Sequence, residues 1–392
     1  MDSQPIKSII STPLKNFNRS IKTIYSPYVK RVQRMDFFVL GKLLAGLVLL
    51  VVGAEGLVNG ASFLAASLGI SPLVIGLTIV AYGTSSPEMA VAIQSSFTGQ
   101  ADIALGNIVG SNIFNVLVIL GLSALAMPLI VAQQLIRLEV PIMIGISLLT
   151  LLFGFDGLIN RSDGVILVIG GIIYTIFLIV KGSKQPSEEK EYEKYTVLED
   201  ISVFQWMKNL GLMLGGTGLL ILGSRWLVES STSIALTIGV SELVIGLTIV
   251  AVGTSLPELA TSVMATLKGE RDIAVGNVIG SNIFNISAVL GIGAMVSPQG
   301  IPVSNAAIGF DLPVMIAITI SCLPIFLTGN VIDRWEGLLF VSYYIAYTTY
   351  LILRSTGHDS LHIFSNIMLL VVIPLTVLTL TIVTVNSLWK QR

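Results

Sequence analysis

The sequence predicts an all-α polytopic membrane protein: two five-helix repeats of inverted topology, forming a ten-helix core, plus one extra C-terminal transmembrane helix. Three observations carry that expectation. The 392-residue chain is 53% hydrophobic and 11% charged, whereas a soluble domain carries about 25% charged residues. Residues 73–121 recur as residues 243–291 at a constant offset of 170, without a gap and with about 29 of 49 positions identical. Each half also holds five apolar stretches of helix length. Five is odd, so the second copy must enter the bilayer from the opposite side, and the duplicated segments meet near its midplane.

The elements follow in order, at about 20 mostly apolar residues per spanning helix. Residues 1–36 are basic and read as disordered, with seven Lys/Arg against one Asp in residues 1–34. A translation start at Met35, or a targeting peptide, would each account for such a segment. The first repeat covers 37–181, with helices expected at 37–64, 71–97, 102–127, 135–154 and 162–181. A charged linker, 182–206, holds Ser187-Glu188-Glu189-Lys190-Glu191; its acids are not spaced like a calcium loop, and it reads as solvated. The second repeat covers 207–353, with helices at 207–235, 241–267, 272–297, 308–327 and 333–353. The register of 170 extends upstream of the strongest match: Leu40-Gly41 matches Leu210-Gly211, Gly53 matches Gly223, and Gly69 matches Gly239. An eleventh helix, 364–388, has no counterpart and lies outside the symmetric unit.

Charge places the chain in the membrane. The N-terminal cations alone would hold that end in the cytoplasm. Lys181, Lys184, Lys190, Lys194, Lys208, Lys268, Arg271, Arg334, Lys390 and Arg392 all fall on the other face, with Arg161 and Arg354 against them. The distributed signal puts the N-terminus outside and the 182–206 linker in the cytoplasm, in a plasma or inner membrane. A net charge of −1 gives no reason to expect a nucleic-acid partner. Cys322 is the lone cysteine, so no disulfide framework exists. His358 and His362 lack further metal ligands nearby and read as loop residues. Neither a Ser-His pair nor a zinc cluster stands out, so no enzyme and no cofactor are expected. Oligomeric state is left open.

The duplicated stretch carries the chemistry. Gly83-Thr84-Ser85-Ser86-Pro87-Glu88 recurs as Gly253-Thr254-Ser255-Leu256-Pro257-Glu258. Pro87 has no N–H, so the Gly83 carbonyl loses its helical partner. Glu88 stands one turn from Thr84 on the same face, and the Thr84 and Ser85 hydroxyls add neutral oxygens. Ca²⁺ takes about 6–8 oxygens at about 2.3–2.6 Å, more than one motif supplies, so the copy is expected to bring the rest. Gly106-Asn107-Ile108-Val109-Gly110-Ser111-Asn112-Ile113-Phe114-Asn115 recurs as residues 276–285. Ser111 and Asn115, and likewise Ser281 and Asn285, each present a hydroxyl and an amide oxygen on one face. Gly106, Gly110, Gly276 and Gly280 let helices approach closely. Asn107, Asn112, Asn277 and Asn282 are expected to bond backbone at the helix break. Carboxylates inside hydrocarbon are costly and mark function. Glu88 and Glu258 together balance one Ca²⁺ or two Na⁺. Empty, they would repel, so the site should seldom cross the membrane unloaded; this is a basis for obligatory exchange and leaves protons as competitors. Asp102 and Asp272 read as N-caps. Glu55, Arg225 and Glu229 read as interfacial anchors or access-pathway charges, with Arg225 and Glu229 able to pair at i, i+4.

Taken together, the two Gly-Thr-Ser-x-Pro-Glu strings and the two Gly-Ser-Asn-Ile-Phe-Asn strings resemble the alpha repeats of the Na⁺/Ca²⁺ exchangers, in the cation/Ca²⁺ antiporter superfamily, over roughly 37–353. The resemblance implies four polar ion sites in a diamond at mid-membrane. It also implies first and sixth helices that slide to alternate access. By motif position it assigns ligand roles to Thr84, Ser85, Glu88, Ser111 and Asn115, and to Thr254, Ser255, Glu258, Ser281 and Asn285. The carbonyls of Ala81 and Ala251 match further Na⁺ ligands. Some microbial and K⁺-dependent members carry an acid where this chain has Asn285, which argues against K⁺ co-transport here. The proton-coupled branch carries a different acidic motif. The implied activity is export of Ca²⁺ against entering Na⁺, with H⁺/Ca²⁺ or K⁺-dependent Na⁺/Ca²⁺ exchange as alternatives and the two ions and the lipid bilayer as partners.

Overall fold

A computed structural model describes residues 37–99, 101–182, 202–237 and 251–390. The basic segment 1–36, nearly all of the 182–206 linker and the first part of the helix expected at 241–267 lie outside the described residues. The described chain is almost wholly helical, and nine of its helices are long and apolar enough to cross a membrane.

Helix α1 is Phe37–Leu68. The second expected helix is broken in two, α2 (Pro72–Thr84) and α3 (Ser86–Phe97). Ser71 starts α2, its Oγ accepting the Val74 N–H at 3.3 Å, and Pro72 follows at a position that needs no donor. Then come α4 (101–126), α5 (Leu135–Gly154), α6 (Arg161–Gly182) and α7 (Val203–Thr237). The described part of the next span is the short α8 (Ala251–Gly253) and α9 (Leu256–Leu267). Helices α10 (Arg271–Val296), α11 (Ala307–Leu327), α12 (Arg334–Thr356) and α13 (361–390) complete the chain. Asp333 and Glu336 form a capping box at the start of α12, and Gly357, at φ 63°, ends it in the left-handed conformation glycine favours.

Burial sorts these helices into layers. α4 and α10 are largely buried at the centre, whereas the outer helices turn Leu, Ile, Val and Phe outward, as lipid contact requires. α13 is mostly exposed and half-buried along one side, with Leu380 buried. It is tethered to α11 by the Thr384 and Ser387 hydroxyls, which donate to the carbonyls of Pro324 and Leu327, and to α12 by Tyr343 on Thr376 at 2.7 Å.

Small residues set the closest approach. A Cβ built on Gly46 would lie 2.9 Å from the Gly223 carbonyl oxygen, one on Gly53 2.7 Å from that of Gly216, and one on Gly60 2.7 Å from that of Asn209. The contacts rise along α1 as they fall along α7, so the two helices run antiparallel with backbones touching. Gly276 and Gly280 let α10 meet α2, where added Cβ atoms would lie 2.9 and 2.5 Å from the carbonyl oxygens of Leu73 and Leu77. Nothing described lies within 4 Å of a Cβ on Gly106 or Gly110; their counterparts of Leu73–Leu77, residues 243–247, lie outside the described residues.

Two antiparallel ribbons, which the apolar-stretch reading does not anticipate, staple loops of the two halves. β1 (Leu129–Ile130) pairs with β4 (Val331–Ile332), Leu129 opposite Ile332. β2 (Leu158–Ile159) pairs with β3 (Ile301–Pro302), Ile159 opposite Ile301. Asp102 and Asp272 are corrected. They stand inside the first turns of helices beginning at Ala101 and Arg271, and Glu270 holds the N-cap position of α10. Asp272, in the first turn of α10, still suits the positive end of the helix dipole.

Candidate ion-binding site

The site is a break in each repeated helix, facing its copy across the centre of the bundle. At the first break Ser85 leaves helical geometry (φ −82°, ψ 13°) and Ser86 begins α3. Pro87 frees the Gly83 carbonyl, and the Ser86 hydroxyl takes it at 2.9 Å. Position 256 in the copy is Leu, which cannot do this. There the hydroxyl of Ser224, on α7, reaches the Gly253 carbonyl instead. The same orphan is satisfied by different residues in the two halves.

The breaks aim their acids at one another. Ser85 donates to Glu258 Oε1 at 2.8 Å, and Ser255 donates to Glu88 Oε1 at 3.1 Å. Ser111 also approaches Glu88 Oε1 at 3.5 Å. Glu88, Glu258, Ser85, Ser255, Thr84, Ser111, Ser281, Asn115 and Asn285 are all buried, and Thr254 is half-buried. The Ala81 carbonyl accepts from the Ser85 N–H at 3.0 Å, and the Thr84 Oγ lies 3.3 Å from it. Ala251 opens α8, but there the Ser255 N–H bonds to Val252 at 3.1 Å, so the two breaks differ in their backbone bonding.

Four asparagines hold the second motif. Asn112 and Asn282 each donate to the other's backbone carbonyl, at 3.3 and 3.4 Å. Their own side-chain oxygens accept from Asn285 at 3.1 Å and from Asn115 at 3.0 Å. The amide nitrogens of Asn115 and Asn285 are thereby tied down, which leaves each Oδ1 turned away from them. Both residues open a wide π-helical stretch, Asn115–Leu120 and Asn285–Leu290, and such turns recur at functional positions. Asn277 donates to the Glu258 carbonyl at 3.4 Å, but it also accepts from the Thr84 hydroxyl at 3.1 Å. Asn107 accepts from Thr254 at 3.1 Å. The expectation of backbone bonding therefore covers three of the four asparagines and misses the hold of Asn107 and Asn277 on the threonines. That hold has no signal in the motif itself.

Oxygens left without a partner include Glu88 Oε2, Glu258 Oε2, Asn115 Oδ1, Asn285 Oδ1 and Ser281 Oγ. Buried polar atoms are nearly always satisfied, and an orphaned one costs about 1–3 kcal/mol, more if charged. Four of these five atoms belong to carboxylates or amide carbonyls. Such a donor set is hard, oxygen-only and doubly anionic, and it fits Na⁺ or Ca²⁺ as cargo.

Other charges lie apart. Arg225 pairs with Glu229 at 2.8 Å, as the i, i+4 spacing suggests, and Lys42 of α1 joins the same carboxylate. Glu55 meets Lys268 at 3.0 Å. The motifs do not reveal two further acids within spanning helices, Glu139, which is buried, and Asp311, which is half-buried. Glu139 is held by Gln134 and Tyr174, and Asp311 accepts from Tyr347 at 3.3 Å. Each precedes an apolar residue and a proline, in Glu139-Val140-Pro141 and Asp311-Leu312-Pro313, a signal too short to stand out.

The family described as "Sodium/calcium exchanger protein" matches residues 38–180 and 208–353. The chain belongs to the sodium/calcium exchanger family. The chain is 42% identical over 307 residues to the putative antiporter CaxA of Alkalimonas amylolytica, covering 78% of this chain and 95% of that one. It is 34% identical over 337 residues to the sodium/calcium exchanger MaX1 of Methanosarcina acetivorans, covering 78% and 96%. Its fold is similar to that of the sodium-calcium exchanger NCX_Mj, with a TM-score of 0.70 at 32% identity over 81% of this chain and 100% of that one.

Proposed function

We propose that this exchanger is a secondary antiporter that moves Ca²⁺ against Na⁺ by alternating access, binding both ions between Glu88 and Glu258. The observation that carries the reading is the crossed pair of contacts, Ser85 on Glu258 and Ser255 on Glu88, which brings both acids to one buried place with an unpartnered oxygen on each. Thr84, Thr254, Ser111, Ser281, Asn115, Asn285 and the carbonyls of Ala81 and Ala251 complete the shell. The antiparallel run of α1 against α7 and the reciprocal bonding of Asn112 and Asn282 support an inverted repeat. Two such halves can open the same site to either side of the membrane in turn. MaX1 and NCX_Mj carry sodium/calcium exchange in their names, which supports the choice of ions. The N-terminus is outside, the 182–206 linker is cytoplasmic, and the membrane is the plasma or inner membrane. Three Na⁺ at a site with two carboxylates would carry one net positive charge, making exchange electrogenic. In proteoliposomes, ⁴⁵Ca²⁺ uptake is expected to follow an outward Na⁺ gradient. Uptake driven by a pH gradient alone would favour H⁺/Ca²⁺ exchange, and a requirement for K⁺ the K⁺-dependent form.

A further inference from the structure

The two halves of the site differ in how firmly they hold their threonines. Asn277 is fixed at both ends: Oδ1 accepts from Thr84 at 3.1 Å, and Nδ2 donates to Ser262 Oγ at 2.9 Å and to the Glu258 carbonyl at 3.4 Å. Ser262 is itself anchored, its hydroxyl donating to the Ala274 carbonyl at 3.3 Å. Asn107 receives the Thr254 hydroxyl in the same way, also at 3.1 Å. Its own Nδ2, however, is buried without a partner. The sequence accounts for one of the two lost acceptors: at the offset of 170, the counterpart of Ser262 is Ala92.

An asparagine side chain can present either its oxygen or its nitrogen to a neighbour. With the oxygen toward Thr84, the threonine proton is spent on the amide and the Oγ lone pairs stay free for a cation. With the nitrogen there, one lone pair is consumed and the hydroxyl proton must point elsewhere, toward the ion among other places. In the second orientation the Asn277 oxygen would face the Glu258 carbonyl, which cannot donate, and Ser262 would have to withdraw its proton from Ala274 to bond it. We infer that Ser262 is a positioning residue that, through Asn277, locks Thr84 as an oxygen donor for Ca²⁺, while Ala92 leaves Thr254 an adjustable ligand. The site is thus stiff on one side and compliant on the other, despite its near-identical motifs. A divalent ion, which gains most from oxygens fixed in advance, depends on the stiff side.

This inference rests on the exchange reading and is tested in the same proteoliposomes, with half-saturating Ca²⁺ measured for full-length variants at matched insertion. Ser262→Ala is expected to raise it by about tenfold, the lower end for loss of a partner behind a ligand. In a Thr84→Val background the same change is expected to add nothing, since the residue it acts through is gone. Ala92→Ser, which puts a hydroxyl at the position matching Ser262, is expected to lower half-saturating Ca²⁺. An unchanged value in Ser262→Ala, or an effect that adds fully to Thr84→Val, overturns the inference. Should Ser262→Ala fail to insert, Ala92→Ser decides: a lowered value supports the inference, and an unchanged or raised one overturns it. Wild-type vesicles that show no Na⁺-driven uptake at all would instead overturn the exchange reading.

Discussion

Asn112 and Asn282 are where single residues matter most outside the ion shell. Each one's amide nitrogen reaches its counterpart's backbone, and each one's oxygen holds the amide of Asn285 or Asn115. Replacing Asn112 with Leu would remove the acceptor for Asn285 Nδ2 and the donor to the Asn282 carbonyl. The Asn285 amide nitrogen would be orphaned, at about 1–3 kcal/mol, while the Asn282 carbonyl would keep the Asn285 backbone N–H. A fall in thermal unfolding temperature in detergent, with a raised half-saturating Ca²⁺, is the expected result. Unchanged values for both would mean that these asparagines do not hold the site.

Element by element, what matters is how helices break and how closely they lie. α2 and α3 are separated by one non-helical serine, and the carbonyl that Pro87 frees is covered locally by Ser86. The matching carbonyl of Gly253 depends on Ser224 of α7, so the second break is coupled to the α1–α7 pair in a way the first is not. That pair touches backbone to backbone at Gly53 and Gly216. A Gly53→Leu side chain has no space there and must part the two helices. Loss of Na⁺-driven Ca²⁺ uptake in correctly inserted protein is the expected outcome. Wild-type uptake in that variant would show that close α1–α7 contact is dispensable.

For the whole molecule, the sequence reveals what repeats or accumulates. Membrane character follows from composition, the spans from apolar length, and the pairing of Glu88 with Glu258 from a motif stated twice. What stays hidden depends on contacts distant in sequence. The two-residue ribbons at Leu129 and Leu158 are too short to leave a pattern. The role of Ser224 shows only when Leu256 is seen to lack a hydroxyl at the break. Asp102 and Asp272 look like caps because helix ends read from sequence are uncertain by a residue or two. Glu139 and Asp311 hide because their partners, Tyr174 and Tyr347, come from the following helices. The central claim is that one divalent ion is held jointly by a carboxylate from each half. Equilibrium ⁴⁵Ca²⁺ binding to purified protein tests it most directly, with wild type, Glu88→Gln and Glu258→Gln measured side by side. The account predicts saturable binding in the wild type and its loss in both single variants, each still folded. Retention of wild-type affinity in either variant would contradict it.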